Sequence, residues 1–234
     1  PGIPTSFYTN NYSGVQISAA QIVNVLNNGT DVIVYTTGGT GSGNGDIFIN
    51  TSIIPNAMSA DATLTFKSLR NITIANGVVI DATQNSNTKK LNVILWADAD
   101  NTGGGYIYVG SYGGTTSGIK SNGGNIYLSG GSDYTTGYAK GISGYQVGVS
   151  LYTNAVIDAG GGNVYIRGQG DASYAVTGDG IKTWDAQIKT SGAGTIGLYG
   201  LGTGNWNGII LTGSSTTVYT VSYTHLRAHE TSLH

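Results

Sequence analysis

Short strands flanked by glycine turns recur along this chain, and the recurrence restricts the fold more than any other feature does. "GGGYIYVGS" from Gly103, "GGNIYLSGG" from Gly123, "GGNVYIRGQ" from Gly161 and "GAGTIGLYG" from Gly192 align. Each is a glycine turn, a three-residue strand core with apolar first and third members, and a further turn. Ile107 to Ile126 is 19 residues, Ile126 to Val164 is 38, and Val164 to Ile196 is 32; the first two intervals are one and two multiples of 19. "GIKSNGGNI", "AVIDAGGGNV" and "AQIKTSGAGTI" each place a second apolar strand just before the glycine turn. A unit this short cannot bury its own apolar face, so it must stack on its neighbours. The reading is an all-β fold, a right-handed parallel β-helix over residues 14–220, since right-handed crossover is the strong default for parallel strands. Roughly ten turns are expected, about 50 Å at ~4.8 Å per coil.

Alternation fixes which side chains face the core. Ile107, Val109, Ile126, Leu128, Val164, Ile166, Ile196 and Leu198 should point inward, and Tyr108, Tyr127, Tyr165 and Gly197 outward, with the tyrosines largely exposed. Leu64, Phe66, Ile72 and Ile74 repeat the pattern earlier, with Thr65 and Thr73 outward. Near the N-terminus Ser18 is a candidate N-cap, Ile22, Val25 and Leu26 have helical spacing, and Asn28-Gly29 is a stop, so residues 18–27 read as one short helix. No linker divides residues 1–220 into two domains.

Composition narrows the class further. Glycine is 39 of 234 residues and charged residues are 9%, yet 39% of the chain is hydrophobic, so it should fold rather than stay disordered. A net charge of −2 with scattered basic residues offers no basic stripe for a phosphate backbone, and no nucleic acid partner is expected. Zero cysteines exclude disulfides, thiolate metal sites and cysteine catalysis. No apolar run reaches the roughly 20 residues of a membrane-spanning helix, so no membrane insertion is expected. The start at Pro1 fits a piece of a longer protein.

"GDIFINTSI", "ATLTFKSLRNITIANGVVIDA", "LNVILWADADNTGGGYIYVGS", "GIKSNGGNIYLSGG" and "VIDAGGGNVYIRGQG" together cover most of residues 14–220. They resemble the filamentous-haemagglutinin-type exoproteins that Gram-negative bacteria export by two-partner secretion, and related large autotransporter adhesins. The resemblance implies a right-handed parallel β-helix secreted or held at the cell surface as an adhesin or stalk. It also implies delivery through an outer-membrane transporter and a partner that is a glycan or protein on a host or neighbouring cell.

Candidate sites follow from residue types. Tyr108 and Tyr127, 19 residues apart, should stack on successive coils and, with Tyr165, offer apolar faces with hydroxyl tips for a glycan ring. "GSGNGDIFI" (residues 41–49) has the outline of a calcium nonapeptide, but Ser42 and Asn44 stand where glycine is wanted. "DADNTGGG" sets Asp98 and Asp100 like the opening of a calcium loop, but Val109 stands where the bidentate glutamate belongs. Plain turns are the expectation for both, and no metal or cofactor is expected. A β-helix polysaccharide lyase or hydrolase is the enzymatic alternative. It needs converging carboxylates, and only Asp158, Asp171, Asp179 and Asp185 could meet on adjacent coils. No catalytic residue is assigned.

The C-terminal "VSYTHLRAHETSLH" departs from everything before it. All three histidines, His225, His229 and His234, and the sole glutamate, Glu230, fall in residues 221–234. Two imidazoles four apart beside a carboxylate would suit a metal if the segment were helical. "VSYTHLRAHET" instead resembles a reading-frame translation of the transposon-end adapter used in sequencing-library preparation. The expectation is a non-native tail, frayed or poorly placed, that buries little apolar surface.

Overall fold

The computed structural model describes residues 5–9, 16–37, 44–173, 178–221 and 227–230. Its strands are β1 (Thr5–Thr9), β2 (Val32–Thr36), β3 (Ile47–Ile49), β4 (Ala62–Lys67), β5 (Ile72–Ile74), β6 (Val79–Asp81) and β7 (Leu91–Ala97). They continue as β8 (Ile107–Val109), β9 (Ser117–Lys120), β10 (Ile126–Gly130), β11 (Ala139–Lys140), β12 (Val149–Leu151), β13 (Ala155–Asp158) and β14 (Val164–Gln169). The last are β15 (Ile181–Trp184), β16 (Gln187–Ser191), β17 (Ile196–Leu201), β18 (Ile209–Thr212), β19 (Thr217–Val221) and β20 (Arg227–Glu230). One helix, α1 (Ala19–Asn27), lies between β1 and β2.

All paired strands are parallel, in three sheets. The first sheet runs β1-β2-β4-β7-β10-β14-β17-β20, with β11 beside β14. The second runs β3-β5-β8-β12-β15-β18, and the third β6-β9-β13-β16-β19. From β4 onward the chain visits first, second and third sheet in turn and then returns to the first. One circuit is one coil. From β2 to β17 the return lengths along the first sheet are 32, 29, 33, 38 and 32 residues.

These lengths correct the 19-residue unit. Ile107 belongs to the second sheet, opposite Ile72 and Val149, while Ile126 belongs to the first, opposite Val93 and Val164. The interval of 19 therefore separates two sides of one coil, and a coil is about 32 residues. Eight strands in the first sheet give a stack of roughly 34 Å instead of about 50 Å.

The core is a set of aliphatic files along the stack. Val32, Leu64, Val93, Ile126, Val164 and Ile196 form one file, and Ile53, Ile80, Ile119, Ile157 and Ile188 another. All are buried. The eight residues expected to point inward are buried as well. Helix α1 lies between β1 and β2, where the described residues hold no second- or third-sheet strand, and its Ile22 and Leu26 join the same buried cluster. Ser18 caps it with an extended backbone, its N–H donating to Gln21 Oε1 at 3.3 Å. The helix thus adds its apolar face to the core.

Two devices hold the turns. Gly124, Gly162 and Gly194 stack at the corner entering the first sheet, where an added Cβ would fall on the carbonyl oxygens of Leu91, Gly124 and Gly162 respectively. Ser121 Oγ and Thr190 Oγ1 donate to the Gly124 and Gly162 carbonyls, each at 2.6 Å. One residue further on, a polar ladder climbs the sheet. Asp31 Oδ1 accepts Thr63 N–H at 2.7 Å, Asn92 Oδ1 accepts Asn125 N–H at 2.9 Å, Asn125 Oδ1 accepts Asn163 N–H at 2.8 Å, and Asn163 Oδ1 accepts Thr195 N–H at 2.9 Å. Asn92 Nδ2 joins the two lower rungs by donating to Thr63 Oγ1 at 3.3 Å. Each rung satisfies an amide that faces the corner instead of a strand. Asn125→Ala, which removes the Asn125 Oδ1 acceptor and leaves the Asn163 N–H without its rung, should cost about 1–3 kcal/mol in urea unfolding.

Candidate functional site

Parallel pairing puts every second residue of the first sheet outside, and register then aligns those residues across strands. One outer row is Tyr35, Lys67, Trp96 and Ser129, continued by Arg167 and Tyr199. The row beside it holds Thr65, Ile94, Tyr127, Tyr165 and Gly197. Tyr127 and Tyr165 stack at 5.1 Å between centroids. Tyr134, on the loop after β10, packs edge-on against Tyr127 at 5.2 Å and against Trp96 at 5.4 Å, whose Nε1 donates to the Gly131 carbonyl at 2.5 Å. Lys67 Nζ lies 4.2 Å from the Trp96 ring, and the Arg167 guanidinium 3.8 Å from the Tyr199 ring. Gly197 is covered by Tyr165 and Tyr199, so this position stays small because rings fill the space.

Tyr108 is elsewhere. It lies on the second sheet, stacked on Tyr152 at 4.9 Å and edge-on to Tyr145 at 5.4 Å, with Tyr106 4.3 Å from Tyr145. The expected Tyr108–Tyr127 stack is therefore absent, because the two residues occupy different sides of a coil. Tyr108, Tyr127 and Tyr165 are half-buried instead of largely exposed, since neighbouring rings cover them. Burial, then the phenols of Tyr165 and Tyr134, pushes the Tyr127 hydroxyl above its ordinary range; burial, then Tyr152 and Tyr106, does the same for Tyr108. Both stay neutral at physiological pH and so keep an O–H able to donate. Trp96, Lys67, Arg167 and Tyr134 were missed by sequence reasoning, although "LNVILWA" carries an outward Trp96 in the same alternation.

The third sheet carries a different face. Asp81, Lys120, Asp158 and Lys189 form an outer file of alternating charge, with Lys120 3.4 Å from Asp81 and Lys189 3.3 Å from Asp158. Burial raises the Asp81 pKa, but hydrogen bonds from Thr83 and Gln84 and the charge of Lys120 outweigh it and hold the carboxyl below its usual range. A depressed folded pKa means a contribution that is full above the unfolded value near 4 and is lost as pH falls through the folded value. Asp81→Asn should therefore lower stability at pH 7 and narrow the gap to the parent chain below about pH 4, as measured by urea unfolding across pH.

The four aspartates of the enzymatic alternative do not assemble. Asp158 is on β13, Asp171 follows β14, Asp179 precedes β15 and Asp185 lies between β15 and β16. Asp158 and Asp171 serve their own turns, accepting from Gly160 N–H at 3.0 Å and Ser173 Oγ at 2.6 Å, while Asp179 and Asp185 tie a turn to the next coil, accepting from Asn207 N–H at 3.2 Å and Ser215 N–H at 2.8 Å. Among the described residues no three His, Cys, Asp or Glu side chains come together to hold a metal.

Both calcium-like stretches are occupied by protein cations. Asp98 is buried, accepts Gly104 N–H at 3.0 Å, and has Lys140 Nζ 3.5 Å away, while Lys140 also donates to Asn101 Oδ1 at 2.6 Å. Asp100 faces Thr102 at 2.8 Å. Residues 41–43 of "GSGNGDIFI" lie outside the described residues, and Asp46 receives Arg70 Nε at 2.8 Å and Nη2 at 2.6 Å.

At the C-terminus, β19 continues the third sheet to Val221, and Arg227–Glu230 forms β20 in register with Gly197–Gly200. Five residues of the segment 221–234, Val221 and Arg227–Glu230, thus pair through their backbone. The edge of β17 offers free N–H and C=O groups to any extended backbone, and such pairing is independent of side chains. Residues 227–230 are extended, so the helical spacing of the metal reading is not realised; His225 and His234 lie outside the described residues. The melting temperature should be unchanged by zinc, both in the full chain and after removal of residues 222–234. A zinc-dependent rise confined to the full chain would mark a metal site in the tail.

No helix among the described residues is long and apolar enough to cross a membrane. The chain matches no protein-family model, no curated protein and no solved structure.

Proposed function

We propose that this chain is part of a secreted bacterial surface adhesin or stalk, wound as a right-handed parallel β-helix, with a mechanical and adhesive role and no catalysis. The observation that carries the reading is that one winding rule runs from β4 to β19, with buried aliphatic files inside and ordered rows of side chains outside. Such a body is long, uniform and able to present repeated surface groups at fixed spacing. Aspartates that an enzyme would aim at substrate are engaged by the turns and coils around them. Right-handed crossover is the default for parallel strands. The resemblance in the repeat text supports a position outside a Gram-negative cell, delivery by an outer-membrane transporter, and a glycan or protein of another cell as partner.

Beads coated with the full chain should adhere saturably to cells and be displaced by soluble chain; beads that bind no better than albumin-coated ones would overturn the adhesive reading. Incubated with neutral and acidic polysaccharides, with or without calcium, the chain should release no new chain ends. Turnover abolished by Asp158→Asn or Asp179→Asn would replace the adhesin with the enzyme.

A further inference from the structure

Seven of the ten basic residues have a charged or aromatic partner, and these are of two kinds. Arg70, Lys120, Lys140, Lys182 and Lys189 each lie within 4.0 Å of an aspartate. Lys67 and Arg167 lie over aromatic rings instead, both on the outer face of the first sheet. They are three strands apart, roughly 14 Å at the spacing of paired strands. Between them the surface is a run of touching rings, Trp96, Tyr134, Tyr127 and Tyr165. Two buried polar atoms there lack a hydrogen-bond partner: Ser129 Oγ and Arg167 Nε, on neighbouring outer positions of β10 and β14. A cation on a ring keeps hydrogen-bond donors that an ion pair would have used.

The geometry points to this strip as a binding site for an acidic glycan chain, one built of uronic acids, lying across the strands with its rings on the aromatic run and its carboxylates at Lys67 and Arg167. The inference rests on the adhesive reading and names its ligand class. Ring faces favour flat, partly apolar partners with polar edges, which is the character of a pyranose. The guanidinium fork of Arg167 suits a carboxylate. Two cations separated by several rings match one sparse charge per sugar better than a densely sulfated chain, which would call for a continuous basic stripe. A chain is required instead of a single sugar, because the cations are too far apart for one ring to touch both. Asp133, on the Tyr134 loop, is the nearby opposing charge; its carboxylate is engaged by Thr135 N–H and Oγ1, each at 2.8 Å.

The test is calorimetric titration of the full chain with sodium polygalacturonate, with galacturonic acid, fully methyl-esterified polygalacturonate and heparin as comparison ligands. Polygalacturonate should bind, and the monosaccharide and the methyl ester should bind at least about tenfold more weakly. Lys67→Gln with Arg167→Gln should weaken polygalacturonate binding by about tenfold or more with an unchanged melting temperature, and Asp133→Asn should strengthen it. If the double variant fails to fold, the methyl-ester comparison on the native chain carries the test alone. Equal binding of the methyl ester, tighter binding of heparin, or affinity unmoved in a folded double variant would overturn the inference. So would absence of polygalacturonate binding. Adherent beads with no polygalacturonate binding would sink this ligand and leave the adhesive reading standing; non-adherent beads would sink both.

Discussion

Ile126→Ala is expected to destabilise the fold by about 2–5 kcal/mol, a large share of the total stability of an ordinary domain. Ile126 is buried, lies between Val93 and Val164 in its file, and has coils on both sides whose backbones are fixed by strand pairing. The void left by truncation cannot be closed by sliding one coil toward the next, because spacing along the stack is set by hydrogen bonds. Urea unfolding with an unchanged denaturant slope would isolate the effect. Tyr127→Ala, one residue along and outside, removes stacking on Tyr165 and should cost about 1 kcal/mol or less. Equal costs at the two positions would contradict the register.

Gly162→Ala is expected to cost about 3 kcal/mol or more, although it adds one methyl group. That methyl would fall on the Gly124 carbonyl oxygen, which already accepts Ser121 Oγ at 2.6 Å. Backbone lies on the opposing side, so no side-chain rotation can make room. Gly113→Ala is the uncrowded comparison, since nothing lies within 4 Å of its added Cβ and its positive φ is the only strain it adds. It should cost only about 1 kcal/mol, as read by thermal or urea unfolding.

Facing was legible in the sequence and period was not. A strand alternates sides every residue, so "IYV", "IYL" and "VYI" assign inside and outside without reference to neighbours. Which strand lies above which is a separate matter. β8 and β10 carry nearly the same glycine-flanked phrase yet sit on different sheets, because both face the same core and leave by similar turns. Their 19-residue spacing therefore mimicked a coil. The Asn ladder had a signal that was passed over: Asn125 and Asn163 each stand directly before the first inward residue of a first-sheet strand. The strip from Lys67 to Tyr199 could not be found without the register, since its members come from β4, β7, β10, β14 and β17 and from the Tyr134 loop. The divergence of the tail was visible from composition, but its pairing to β17 was not, because edge pairing follows from backbone and not from side-chain pattern.

The central claim is that the chain returns to the same sheet after one coil of about 32 residues, so that Tyr127 neighbours Tyr165 and not Tyr108. The chain has no cysteine, which allows pairs to be introduced against a clean background. Adjacent strands hold Cα atoms about 4.8 Å apart, within the range a disulfide spans, whereas opposite sides of a coil do not. Under mild oxidation the chain carrying Tyr127→Cys and Tyr165→Cys should form an intramolecular disulfide, and the chain carrying Tyr108→Cys and Tyr127→Cys should keep free thiols. Cross-linking of the second pair with free thiols in the first would contradict the three-sheet coil and restore the 19-residue one.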